Sequence, residues 1–350
     1  MFYRYEIVNQ NGNQALYLYL TMNEEASLEL GEGDATTLEN KVKDYIKTRN
    51  IDYDGDDVFI VVDGIIVKNI NIKNKDINIE VLDDKSDYFN VNYLVTLRRD
   101  GMDYSITLRD YLLGVLFHNN CYHYPEEVIK ALSILYRTYA YYKMEVDGFI
   151  SDHDLFATYK DASYYKLLFI DNYEDMYKKL ENAIRDTDCF FITYNNQYIL
   201  PFIHLVNNGF TEEDSRYPYL EKRYSLWDLL SPKYINIREF TYKKLENLLH
   251  IKKDEFKSFK IMELTSGNRV RKLQIGSKFF SGEEFSQSLG LTSCDMTVLI
   301  NDNSVKFITR GCGSGFGLSI SGSSELANSG CSCLQILDYY FPKCIVKKYV

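Results

Sequence analysis

The chain has 350 residues, 45% hydrophobic and 26% charged, with a net charge of −10. This balance excludes intrinsic disorder and provides core for one large or two ordinary domains. No apolar run approaches the roughly 20 residues that span a bilayer, and no run of Lys or Arg offers clustered cations, so neither a transmembrane segment nor a nucleic-acid partner is expected. Seven cysteines are scattered as Cys121, Cys189, Cys294, Cys312, Cys331, Cys333 and Cys344, without a CxxC pair. A structural zinc ribbon is therefore not indicated, and the usage fits a reducing compartment. Cys331 and Cys333, with Cys344, are candidates for metal binding or oxidation, but buried or free thiols fit better. The opening MFYRYEIVNQNGNQ lacks a basic-then-apolar secretory pattern, which makes the expected location cytoplasmic for the sequence as given.

Residues 1–85 form the first expected domain, a small α+β module. FYRYEIV and ALYLYLTM flank the turn-rich NQNGNQ as a hairpin. Thr36 and Thr37 are positioned to cap a helix through LENKVKDYIKTRN, with Leu38, Val42, Tyr45 and Ile46 on one face. DYDGDD is a turn without EF-hand spacing, and VFIVVDGIIV follows as buried-type strand. The β-β-α-β-β order is compatible with a β-grasp-like unit used for binding or docking. The polar stretch at 74–90 links it to a second domain, 86–350.

YLVTLRRDGMDYSIT predicts two strands around Asp100-Gly101. Leu108–Tyr142, LRDYLLGVLFHNNCYHYPEEVIKALSILYRTYAYY, is the stretch around which this domain is organised. A helix restarts at Pro125, with Glu126 and Glu127 at the positive end of its dipole. Val128, Leu132, Leu135 and Tyr139 share one face, while Lys130 and Arg137 share another stripe, expected to present charge to a cleft.

This stretch resembles the signature of the SpoIID/LytB family (stage II sporulation protein D), bacterial peptidoglycan lytic transglycosylases with the pattern YL-x-GVV-x-GEMP, a spacer, then PxEALKAQAVAARTYA. Tyr111-Leu112, Gly114-Val115, Pro125, Glu127, Lys130-Ala131 and Arg137 to Ala140 fall in register without a gap. The resemblance places the family's catalytic glutamate at Asn119. It implies an α+β architecture, a SpoIID-like mixed α/β domain after the small module, and a cell-envelope location.

Further on, GFISDHDLFATYKDASYYK resembles the family's D-x-x-C-x-Q-x-Y element. Asp152 and Tyr159 match, while Leu155 stands at the Cys and Ala157 at the Gln. His153 alone cannot rebuild a zinc site, so no metal is expected. YEDMYKKLENAIRDT predicts an amphipathic helix, and FFITYNNQYIL two strands around Asn195-Asn196. Phe202, His204, Gly209 and Thr211 keep a reduced YHS-x-x-GG-x-T element. His204 suits a core histidine and a cleft residue equally. Pro218 to Asp228 echoes PYL-x-x-V-x-x-x-D and carries the only tryptophan, Trp227, as a hydrophobic anchor. REFTYKKLENLLHIKK predicts another helix. ELTSGNRVRKLQIGSKFFSGEEFSQSLGLTSCDMTVLI matches the family outline of two strands, a helix and a return strand. Ser281 can cap that helix and Gly290 can end it. Arg269 there suits the cleft or the strand. VKFITRGCGSGFGLSISGSSELANSG keeps the family's glycine skeleton, with Ser314 at the His, Ile320 at the Gln and Ser319 retained. It lacks the Walker lysine and the dinucleotide spacing, so no cofactor is expected. LQILDYYFP matches the terminal family helix.

A lytic transglycosylase needs one protonatable carboxyl group that donates a proton to the leaving oxygen and then takes one back. Asn119 can hydrogen-bond a sugar but cannot be that acid. Glu126, Glu127 and Asp152 are the fallback acids. The expected substrate-binding set is Asn119, Lys130, Arg137, Tyr139, Tyr159, His204, Arg269, Ser314 and Ser319. The replacements at 119, 155, 157, 314 and 320 occur together while scaffold residues remain, which favours a pseudoenzyme binding peptidoglycan glycan strands or another cell-wall or sporulation protein. An active transglycosylase with a relocated acid and a cytoplasmic scaffold are the alternatives.

Overall fold

The computed structural model describes residues 2–10, 13–20, 35–53, 57–62, 65–71, 79–82, 91–154 and 157–349. They form two compact units, each discontinuous in sequence: Met1–Ile72 with Ile203–Glu325, and Lys73–Phe202 with Leu326–Val350. The sequence suggests one boundary near residue 85. In the structure the first 72 residues group with 203–325, and Phe59 stacks on Trp227 at 6.1 Å.

The first unit opens with β1 (Phe2–Gln10), β2 (Asn13–Leu20), α1 (Ala35–Thr48), β3 (Asp57–Val62) and β4 (Ile65–Asn71). The β-β-α-β-β order is as expected, but the sheet runs β1-β2-β3-β4 with β2 and β3 parallel. A parallel pair needs a crossover, which α1 supplies, and β1 is left at the edge rather than in the interior place a β-grasp gives it. Val42, Tyr45 and Ile46 of α1 pack on Leu16, Leu18, Val58 and Ile60. Thr36 and Thr37 lie in the first turn of α1.

The second unit contains β5 (Glu80–Leu82), β6 (Leu94–Arg99), β7 (Met102–Thr107), α2 (Leu108–His118), α3 (Glu126–Val146), β8 (Ile150–Ser151), α4 (Ala162–Leu168), α5 (Tyr173–Asp186), β9 (Phe190–Tyr194) and β10 (Gln197–Tyr198). Asp100-Gly101 and Asn195-Asn196 both have positive φ at the two turn positions, the geometry that keeps a two-residue hairpin in step with strand twist. Thr107 caps α2 by accepting from the Asp110 N–H. Helix α3 is buried from Val128 to Tyr141 except at Lys130, so it is the centre of this unit rather than a surface helix.

The chain then returns to the first unit with β11 (Ile203–His204), β12 (Ile235–Thr241), α6 (Tyr242–Leu249), β13 (Lys260–Leu264), β14 (Val270–Ile275), β15 (Lys278–Ser281), α7 (Gly282–Leu289), β16 (Met296–Ile300), β17 (Ser304–Arg310), β18 (Leu318–Ser319) and α8 (Ile320–Asn328). The sheets β12-β17-β16 and β13-β14-β15 share a core that includes Phe240, Leu273, Phe285 and Phe307. Ser281 caps α7 and Gly290 ends it, as the sequence predicts. Helix α9 (Cys333–Tyr340) and β19 (Ile345–Tyr349) complete the second unit, where β19 joins β9 and β5 in one sheet. The class is α+β. Among the described residues no helix is long and apolar enough to cross a membrane.

Candidate functional site

In the second unit the site is built at the end of α2. Its apolar run is held by close approach: a Cβ on Gly114 would lie 2.3 Å from the Tyr159 ring and 2.6 Å from the Lys160 carbonyl. Only glycine lets the 159–160 segment pack there, and Tyr159 stacks on Tyr111 at 6.0 Å. Burial pushes the Tyr159 phenol up to about 12. Asn119 is the C-cap of α2, where its Nδ2 donates to the Val115 carbonyl at 2.9 Å. Its Oδ1 accepts nothing among the described residues. Beside it, exposed His118 pairs through Nδ1 with the Tyr165 hydroxyl at 3.0 Å, and the Tyr122 hydroxyl donates to Asn120 Oδ1 at 2.8 Å. Burial, then Lys160, lowers the His118 pKa. Imidazole and phenol thus meet next to the helix end, backed by Phe117 stacked on Tyr165 and Tyr173. Sequence analysis singles out neither His118 nor Tyr165; the signal available for His118 is its place next to Asn119.

The other expected residues of this unit are committed to structure. Arg137, expected to face a cleft, is wholly buried and donates to the carbonyls of Ile184, Thr187 and Phe190, at and just beyond the C-terminal end of α5. The physical reason is the cluster of helix-end carbonyls, which a guanidinium fork satisfies better than water reaching a buried end would. Lys130 bridges Glu126 at 2.8 Å, Glu127 at 3.1 Å and Asp186 at 3.4 Å. Glu127 also accepts from the Cys333 N–H at 2.6 Å, at the start of α9. Asp152 pairs with Arg99 at 2.9 Å. The Tyr139 phenol is raised by burial and by Asp154. Ala157 is buried, and Leu155 lies outside the described residues.

In the first unit, His204 is buried, and its Nδ1 donates to the Phe316 carbonyl at 3.0 Å. That tautomer leaves Nε2 as an acceptor without a partner among the described residues. Burial, then Arg269, lowers its pKa to about 3. Arg269 is buried too, held by Glu212 and Asn207 at 2.9 Å each and by the Phe210 carbonyl. Of its two expected places, strand and cleft, it takes the structural one. The glycine-rich segment rests on it: a Cβ on Gly315 would stand 2.2 Å from the guanidinium carbon. Ser319 is buried and donates to Asp228 at 2.7 Å, while Ser314 is exposed. Burial raises Asp228 to about 6 despite hydrogen bonds from Ser225 and Ser319. All seven cysteines are free thiols, and among the described residues no three His, Cys, Asp or Glu side chains gather as a metal site.

A sequence model of the SpoIID family, described as a stage II sporulation protein, matches residues 103–194, which runs from β7 through α2 and α3 to β9. Stage II sporulation protein D of Bacillus subtilis is 30% identical over 251 residues, covering 68% of this chain and 73% of that protein. The chain belongs to the SpoIID family. The Bacillus amyloliquefaciens protein of the same name is 28% identical over the same length and coverage. The SpoIID match thus contains the whole Asn119 surface and the buried helix behind it.

Proposed function

We propose that this SpoIID-family chain is a non-catalytic protein that binds peptidoglycan glycan strands at the surface around Asn119. The observation that carries the reading is the state of residue 119. An amide stands where the family resemblance assigns the catalytic glutamate, and its nitrogen is spent on ending α2. Water-free cleavage of a glycosidic bond needs a carboxyl group that gives and retakes a proton. Glu127 and Asp152 are each engaged by a cation, Glu127 by a backbone N–H as well, and exposed Glu126 is paired with Lys130. The open Asn119 Oδ1, the His118 ring and the tyrosine hydroxyls supply acceptors and donors suited to sugar hydroxyl and acetamido groups. A cell-wall or sporulation protein partner is the other form of this reading.

The test is incubation of the chain with glycan strands stripped of stem peptides. We expect co-sedimentation with the strands and no anhydro-sugar products by mass spectrometry. Anhydro products that disappear in Glu126→Gln, Glu127→Gln or Asp152→Asn would replace the reading with an active transglycosylase whose acid has moved. Absence of binding by the intact chain would leave the scaffold alternative.

A further inference from the structure

We propose that β12 pairs edge to edge with β12 of a second copy of this chain, about a two-fold axis at Asn236, so that two β12-β17-β16 sheets become one. This does not depend on the glycan reading, which concerns residues of the second unit. β12 is an edge strand of its sheet. The Gly311 N–H donates to the Tyr234 carbonyl at 2.7 Å, in the register that sets Asn236 against Thr309 and Arg238 against Phe307. Antiparallel neighbours alternate between bonded and unbonded pairs, so Asn236, Arg238 and Phe240 turn their backbone groups to β17. On the other side of β17, the Arg310 N–H donates to the Asp295 carbonyl and the Asn301 N–H to the Ser304 carbonyl, both at 2.9 Å, which gives the same alternation. Ile235, Ile237 and Glu239 therefore aim their N–H and C=O groups at the open edge, where they meet no hydrogen-bond partner among the described residues.

Open edges are ordinarily blunted by bulges, prolines or outward lysines. The edge strands β1, β4 and β13 each meet their neighbour with a register shift. β12 follows β17 from Ile235 to Thr241 without one and contains neither Lys nor Pro. Ile235 and Ile237 are 56% and 58% exposed on its outer face. Arg238 alternates to the opposite face, where it donates to the Leu289 carbonyl at 3.2 Å. Any extended peptide can use the open backbone groups. The side chains single out a second copy, because in one register they answer each other. Two such strands can pair antiparallel about an axis at Asn236, Ile237 or Arg238. An axis at Arg238 sets that residue against itself, like charges in an unbonded pair, where side chains stand closest. An axis at Ile237 sets Ile235 against Glu239 of the second copy. An axis at Asn236 sets Ile235 against Ile237 twice and Arg238 against Tyr234, which covers both exposed isoleucines and opposes no like charges.

The test is sedimentation velocity of the intact chain across a broad concentration range, where a reversible monomer–dimer equilibrium is expected. Ile237→Lys, at an exposed position, loses both isoleucine pairs of the dimer and should weaken it about ten-fold with melting unchanged. Ile237→Pro removes an N–H that faces the edge and none that faces β17, so it should leave a folded monomer. If proline at that φ unfolds the chain, the lysine variant still decides. Register is read by oxidising cysteine variants, because opposed residues of a bonded pair stand about 5.5 Å apart between Cα atoms, within disulfide reach. A mixture of Ile235→Cys and Ile237→Cys chains should give a disulfide-linked dimer that neither variant gives alone. A wild-type chain that stays monomeric throughout would overturn the proposal and leave the edge to a foreign strand. A dimer that both Ile237 variants leave intact would overturn it by placing the interface elsewhere. Ile237→Cys chains that link to themselves in preference to the mixture would overturn the axis at Asn236.

Discussion

Arg137 offers a direct test of whether the family motif in α3 serves the fold or a ligand. Its guanidinium donates to Thr187 O at 2.7 Å, Phe190 O at 3.0 Å and Ile184 O at 3.2 Å, with no exposed surface. Arg137→Met keeps much of the volume and removes every donor. The Thr187 carbonyl keeps the Phe190 N–H at 3.1 Å and the Ile184 carbonyl the Thr187 hydroxyl at 3.3 Å, which leaves the Phe190 carbonyl without a donor, a loss of about 1–3 kcal/mol. A unit of this size melts about 2–4 °C lower per kcal/mol, which gives a drop of about 2–12 °C. Arg137→Lys should fall between, since an ammonium at the end of a shorter stem cannot reach all three oxygens in one plane. The assay is thermal unfolding followed by circular dichroism, paired with glycan co-sedimentation at a temperature where both proteins are folded. A folded Arg137→Met variant that melts like wild type but no longer binds glycan would refute the structural assignment and return this side chain to the site.

Gly114→Ala places a Cβ within 2.6 Å of the Lys160 backbone carbonyl, so the 159–160 segment must move; we expect a loss of at least the 1–3 kcal/mol typical of overpacking, measured by urea unfolding. Asn119→Glu puts a negative charge at the C-terminal end of α2, costs about 0.3–1 kcal/mol, and creates no anhydro-sugar product in the glycan assay. His204 and Asp228 give opposite pH signatures. With a folded pKa near 3 against an ordinary 6.5, His204 contributes stability that is present above pH 6.5 and lost as pH falls toward 3, so His204→Gln should gain on wild type as pH drops from 7 to 4. Asp228, raised to about 6 from 3.8, contributes stability present below pH 3.8 and lost as pH rises through 6, so Asp228→Asn should gain on wild type in the other direction. Urea midpoints at the two pH values that moved the same way for both variants would contradict the assignment.

What was legible in the sequence was local. Asp100-Gly101, Asn195-Asn196 and the Ser281 to Gly290 helix each depend on residues within a few positions, and each stands where the pattern places it. Arg137 was misplaced because helical periodicity reports which residues share a stripe and not what lies opposite; its acceptors are 47 to 53 residues away. The contact between Phe59 and Trp227 was hidden for the same reason, since nothing near the one announces the other. His118 and Tyr165 meet across 47 residues, a distance no local motif spans.

The family signature is therefore best understood as a fold signature with a separable chemical position inside it. Gly114 admits the Tyr159 segment, Glu127 ties α3 to the start of α9, Arg137 closes the end of α5, and Gly315 rests on the Arg269–Glu212 pair. Each of these matched residues has a structural task that persists whatever residue 119 is. The match between this chain and its relatives consequently argues for a common architecture and carries no weight on turnover. Residue 119 sits at a helix end where an amide caps the chain better than a carboxylate, because the partial negative charge there repels an ionised side chain. The same repulsion raises the pKa of a carboxyl group, which is what a general acid needs. A glutamate at such a place would be tuned by the helix that it destabilises, and an amide there is free of that repulsion.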